Sequence, residues 1–139
     1  MSVGYSKHTL IEKLGIKPFT QTAILNAPED YIDMLGKLPL GTIIEGYLQG
    51  KYTLIQYFVT WREDLEKEFP NIAQHIYPTS CVWISWPKKS SGQVTNLTEN
   101  VIRTIGLKNG MVDVKVIAVD EIWSGLKFVI RLKDRDKLK

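Results

Sequence analysis

Short apolar runs alternate with amphipathic stretches along the whole chain. Thr22-Ala23-Ile24-Leu25 and Cys81 to Trp86 have strand length and little polar alternation, as expected of strands covered on both faces, and Thr42-Ile43-Ile44 and Leu54 to Val59 read as the second and third strands. Between them lie helix signals. Ser6 predicts the N-cap of a short helix that carries Leu10, Ile11 and Leu14 on one face and stops at Gly15. Pro28, followed by Glu29 and Asp30, predicts a helix with Ile32 and Leu35 facing inward before Gly36. Thr60-Trp61-Arg62-Glu63 has the spacing of a capping box, and Pro70 predicts a break near Phe69 with a second piece carrying Ile72 and Ile76. Asn96, with Glu99 three residues later, predicts a helix carrying Leu97, Val101, Ile102 and Ile105 up to Asn109-Gly110. Val112 to Val119 and Leu126 to Leu132 read as the fifth and sixth strands, and the short connection from Asp120 to Gly125 permits only an antiparallel hairpin. The third strand follows the second through the Gln49-Gly50 region. That link is too short for a crossover helix, so the two strands either form a hairpin or are joined by an extended segment from Tyr47 to Thr53 that lets the third run parallel.

These elements predict an α/β fold: a three-layer, Rossmann-like sheet, mostly parallel, with a C-terminal antiparallel hairpin. With 139 residues, 44% hydrophobic and 24% charged, the chain reads as a single α/β domain over residues 1–133 with a charged tail over 134–139. This composition excludes disorder. The formal charge is +3, from 18 basic and 15 acidic residues, but Arg131 to Lys139 hold five of the basic and two of the acidic ones, which leaves thirteen of each elsewhere. The basic balance therefore reports a tail, and no nucleic-acid partner is expected. Cys81 is the lone cysteine and His8 and His75 are the two histidines, too few for a disulfide or a metal cluster, and neither histidine sits in a recognisable Cys/His nucleophile signature. No metal and no cofactor is expected. No apolar run approaches membrane-spanning length and the N-terminus lacks a signal-peptide core, so the expectation is a cytoplasmic protein with no membrane partner.

Leu14-Gly15-Ile16-Lys17-Pro18 ahead of an apolar strand resembles the lead-in of S-adenosylmethionine-dependent methyltransferases, in which a helix ends in L-G-x-K-P before the first strand. The closing antiparallel strand is similar too. That resemblance implies a glycine-rich D-x-G-x-G loop after the first strand; this chain has Leu25-Asn26-Ala27-Pro28-Glu29-Asp30 there, without a glycine. The chain also resembles, over nearly its whole length, a family of small bacterial proteins known as a domain of unknown function. The residues concerned are Leu14 to Pro18, Asn26 to Tyr31, Trp83 to Lys89, Val112 to Val116 and Asp120 to Lys127. The resemblance implies an α/β single-domain fold and brings no activity with it.

In an open α/β sheet, ligands bind beyond the carboxyl ends of the parallel strands. That rule selects Asn26 from the first strand, Thr60 from the third if it runs parallel, Trp86, Lys88 and Lys89 from the fourth, and Asp120, Glu121 and Trp123 from the fifth. Lys88-Lys89-Ser90-Ser91-Gly92 has the charges and hydroxyls of an anion cradle, without the P-loop pattern. Asp120 and Glu121 are candidate base or hydroxyl-binding groups, and the indoles of Trp86 and Trp123 are candidate stacking surfaces. The expectation is a non-catalytic binding or regulatory module that recognises a small anionic ligand or a protein partner. The alternative is a divergent methyltransferase-like enzyme lacking the glycine-rich cofactor loop. An exposed apolar edge strand would allow a homo-oligomer.

Overall fold

The computed structural model describes residues 8–138. Six strands form one sheet in the order β2-β1-β3-β4-β6-β5. They are β1 (Gln21–Leu25), β2 (Ile43–Glu45), β3 (Tyr52–Phe58), β4 (Ile76–Pro87), β5 (Met111–Ala118) and β6 (Trp123–Ile130). β1 pairs in parallel with both β2 and β3, and β3 with β4, while β6 is antiparallel to β4 and to β5. The third strand is therefore parallel. Residues 46–51 carry the chain back across β1 as a helix-free segment of bends.

Two helical layers cover the sheet. α3 (Arg62–Ile72) and α4 (Glu99–Lys108) supply Leu65, Phe69, Ile72, Ile102 and Ile105 to one face, against Ala23, Ile55, Val82, Ile84, Leu126 and Phe128. α1 (Leu10–Leu14) and α2 (Tyr31–Leu35) cover the other with Ile11, Leu14, Tyr31 and Leu35, against Ile24, Leu54, Phe58 and Trp83. Period-two alternation explains the division, because neighbours along each strand point to opposite faces.

Several local expectations are corrected. The predicted cap Ser6 lies outside the described residues; Thr9 caps α1 in a reciprocal capping box with Glu12. α2 begins at Tyr31, not in the Pro28 turn, because Asn26 and Asp30 both take left-handed backbone angles (φ 58° and 70°) that keep the loop turning. Leu35 faces inward as expected, but its partner in the core is Tyr31, while Ile32 is exposed. Pro70 does not break α3. It stands in the last turn, where the helix runs through it to Ile72 at the loss of its N–H donor to the preceding turn, and Ile76 opens a long β4. β6 ends at Ile130, and Leu132–Leu138 form 3-10 turns, where Asp134 receives a hydrogen bond from Arg131 and the Arg135 guanidinium donates to the Ile130 carbonyl.

The two capping signals exchange roles. Thr60 does not cap α3. The side-chain carbonyl of Asn96, 34 positions away, accepts from the Arg62 amide at 2.7 Å, and its amide group donates to the Glu63 carboxylate at 3.2 Å. α4 is capped by Thr98, whose hydroxyl accepts from the Val101 amide. Asn96 thus satisfies an orphan donor at another helix's start and ties the segment before α4 to the β3–α3 turn. The Thr95 hydroxyl strengthens that tie by donating to the Thr60 carbonyl.

Candidate functional site

Because β1, β3, β4 and β5 all run the same way, their carboxyl ends deliver Asn26, Thr60, Lys88 and Asp120 to one edge of the sheet. The candidates do not converge on one spot. Trp86 opposes Ser124 across the β4–β6 ladder and Pro87 opposes Trp123, so the two indoles project from opposite faces. The sheet itself separates the candidates into two places.

On the α3/α4 side, Trp86, Lys88 and Lys89 come together in a groove of about 680 Å³. Pro87, Leu97 and Ser124 help form its floor, and Ser90, Gln93, Val94 and Thr95 line its sides. The Lys88 amide donates to the Ile122 carbonyl at 2.7 Å and the Ser91 hydroxyl to the Lys88 carbonyl, so the loop that carries the lysines is anchored at both ends. Thr98 and Glu99, at the start of α4, complete the rim. Glu99 is paired with Arg103 at 2.5 Å, which leaves the lysines as the uncompensated charge of the groove among the described residues. Gln93, Thr95, Leu97 and Ser124 were not singled out in the sequence. The signal that could have found them is the unusual length of the polar stretch between Pro87 and the final helix.

On the α2 side the carboxyl edge is filled by the protein's own side chains. The Asn26 side-chain amide donates to the Phe58 carbonyl at 2.8 Å, bridging the ends of β1 and β3, where the chain's crossovers diverge in opposite directions. The Tyr31 ring meets Phe58 edge-on with centroids 4.7 Å apart, and Phe58 meets Trp123 in the same way at 5.1 Å. Beneath them runs a buried polar chain. The Tyr31 hydroxyl donates to Gln56 Oε1 at 2.8 Å, and Gln56 Nε2 donates to Ser85 Oγ at 3.0 Å. Burial pushes the Tyr31 hydroxyl far above its ordinary range, against the Gln56 hydrogen bond and with the Asp120 carboxylate adding to the shift, so it stays protonated as a donor.

Asp120 folds its own loop: Oδ1 accepts from the Ile122 and Trp123 amides at 2.8 Å each. Glu121 is exposed beside it. Thr60 contributes its backbone carbonyl to Thr95. A second, neutral crevice of about 570 Å³ lies at the ends of β1 and β2, lined by Ile24, Asn26, Ala27, Pro28, Ile32, Leu38, Ile44 and Gly46. Glu45, next to it, accepts from the Tyr52 hydroxyl at 2.5 Å. Among the described residues no group of three His, Cys, Asp or Glu side chains could hold a metal ion, and no helix is long and apolar enough to cross a membrane.

No protein-family model matches the chain, and no curated protein matches it in sequence. Solved structures do match in fold. Magnesium protoporphyrin IX methyltransferase from Synechocystis PCC 6803, with bound S-adenosylmethionine, superposes over 88% of this chain and 74% of its own with a TM-score of 0.57 and 12% identity. An S-adenosylmethionine-dependent methyltransferase from Clostridium acetobutylicum covers 88% of this chain and 89% of its own with a TM-score of 0.60 and 8% identity. One from Aquifex aeolicus covers 88% of each chain with a TM-score of 0.58 and 12% identity. At such identities the likeness is one of fold, and the fold is the Rossmann-like α/β architecture of these methyltransferases.

Proposed function

We propose that this chain is a ligand-binding protein built on the methyltransferase-like sheet, and that it recognises a small planar anion in the groove at the end of β4. The observation that carries the reading is the convergence of Lys88, Lys89 and the Trp86 indole in a space of about 680 Å³ with an apolar floor. The lysines would hold the negative group as point charges, and the indole and Pro87 would flank the flat part of the molecule. The α2 side supports the same reading from the other direction. There Asn26 is spent on the Phe58 carbonyl, and the loop after β1 has a side chain at every position, which leaves no close backbone approach for a cofactor.

A second reading is a divergent methyltransferase. It is favoured by the methyltransferases that share the fold and by the neutral crevice at the ends of β1 and β2, which is of small-ligand size. The two readings differ in where ligand sits. Native mass spectrometry of freshly purified protein, followed by fluorescence titration of Trp86 with an aromatic carboxylate such as indole-3-acetate, tests the first. Saturable quenching is expected, at least about tenfold weaker in Lys88→Ala/Lys89→Ala. Undiminished binding in that double variant would remove the groove as the site.

A further inference from the structure

At the opposite, amino-terminal end of the parallel strands, on the α1 side, lies a second cationic feature. Lys127 sits in β6 directly opposite Trp83 of β4 on one side and Lys115 of β5 on the other. Both ammonium groups stand 6.0 Å from the centroid of the same Trp83 ring. Like charges directly opposite one another in a ladder destabilise it, so this arrangement calls for a counter-charge. The chain does not supply one among the described residues. Asp113, two positions before Lys115, would share its face in an unbroken strand, but the irregularity between Asp113 and Lys115 turns the carboxylate to the other face, where Arg103 holds it at 3.0 Å.

Beside the pair is a hollow of about 270 Å³, lined by Lys17, Lys127, Thr20, Thr53, Thr79 and Cys81 over an apolar floor that includes Leu54 and Val129. No acidic side chain is among its described lining residues. The positive field extends into it: burial raises the Cys81 thiol above its ordinary range, and Lys127 and Lys115 act against that rise. The Thr20 and Thr53 hydroxyls donate to the Lys17 and Gln21 carbonyls at 2.6 and 2.9 Å, so the donors that remain over the small apolar floor are the Lys17 and Lys127 ammonium groups, the Thr79 hydroxyl and the Cys81 thiol, a set that suits a compact tetrahedral oxyanion with a small organic group.

We propose that this hollow binds a phosphate group, with Lys127, Lys17 and Lys115 neutralising its charge. The site is independent of the Lys88–Lys89 groove, which lies at the other end of the strands. Amide chemical-shift titration of the intact chain with inorganic phosphate, and separately with phenyl phosphate, at constant ionic strength tests it. Saturable shifts at Thr79, Cys81 and Lys127 are expected. Tighter binding of phenyl phosphate identifies the physiological species as an ester, and equal binding identifies it as the free ion. Lys127→Gln and, separately, Lys17→Gln should each weaken binding at least about tenfold, whereas Lys88→Ala/Lys89→Ala should leave it unchanged. Phosphate should also raise the melting temperature of the parent chain and not that of Lys127→Gln. Absence of saturable shifts, equal shifts from chloride, or binding that survives in both glutamine variants would overturn the proposal.

Discussion

Asn26 opens the loop that is glycine-rich in the resembled enzymes, and replacing it separates two effects that the structure superimposes there. Its backbone is left-handed (φ 58°) and its side-chain amide bridges β1 and β3 through the Phe58 carbonyl at 2.8 Å. Asn26→Ala removes the bridge, worth about 1 kcal/mol for a hydrogen bond of ordinary strength. It also places a Cβ without a compensating polar group in the left-handed region, worth about another 1 kcal/mol. The sum is about 2 kcal/mol. Asn26→Gly loses the same bridge but none of the backbone preference, and costs about a further 0.5 kcal/mol through added freedom of the unfolded chain, a total of about 1.5 kcal/mol. Urea unfolding followed by tryptophan fluorescence should therefore rank the parent above glycine and glycine above alanine. The two variants should differ by about 0.5 kcal/mol. An alanine variant as stable as the parent would show that neither the bridge nor the backbone angle matters. An alanine variant more stable than the glycine variant would show that the angle is not under strain.

Three further outcomes are expected. Gly106→Ala should destabilise by about 1 kcal/mol or more although alanine favours helix, because its Cβ would lie 2.1 Å from the fully buried Phe128 ring, and overpacking outweighs a propensity gain of about 1 kcal/mol; adding Phe128→Leu should recover part of the loss in thermal denaturation. Tyr31→Phe leaves Gln56 Oε1 without its donor inside the core and should cost about 1–3 kcal/mol in chemical denaturation, with little change if the amide finds another partner. Burial, with Glu68 and Asp64 adding to it, pushes the Tyr57 hydroxyl up to about 12 from 10.0. The unfolded chain then releases that proton first, so stability should fall as pH rises from about 10 to about 12, and the fall should be shallower in Tyr57→Phe.

The layered fold was legible because the apolar runs at β1 and β4 mark strands covered on both faces and each helix carries an inward stripe. The hairpin from Met111 to Ile130 was dictated by its short connection. What could not be read locally were the signals that act between distant segments. Asn96 has the sequence position of a cap for the last helix and serves α3 instead, because the fold brings residues 34 positions apart together. The direction of β3 was open for the same reason, since an extended link and a hairpin look alike in sequence. At the candidate site, the carboxyl-end rule picked residues that share one edge of the sheet. It could not divide them between faces, because the opposed projection of Trp86 and Trp123 depends on the β4–β6 register. The Lys115–Lys127 pair was invisible until the β5–β6 ladder was aligned, and the irregularity after Asp113 removes its nearest counter-charge.

The claim at the centre is that this chain keeps the sheet of the methyltransferases while its ligand site lies at Trp86, Lys88 and Lys89 and not at the end of β1. Amide chemical-shift mapping of the intact protein during titration with S-adenosylmethionine tests it most directly. The account predicts no saturable shifts at Asn26, Ala27 and Gly46, where the neutral crevice lies. Saturable shifts at those residues in the micromolar range would contradict it and establish the enzymatic reading in its place.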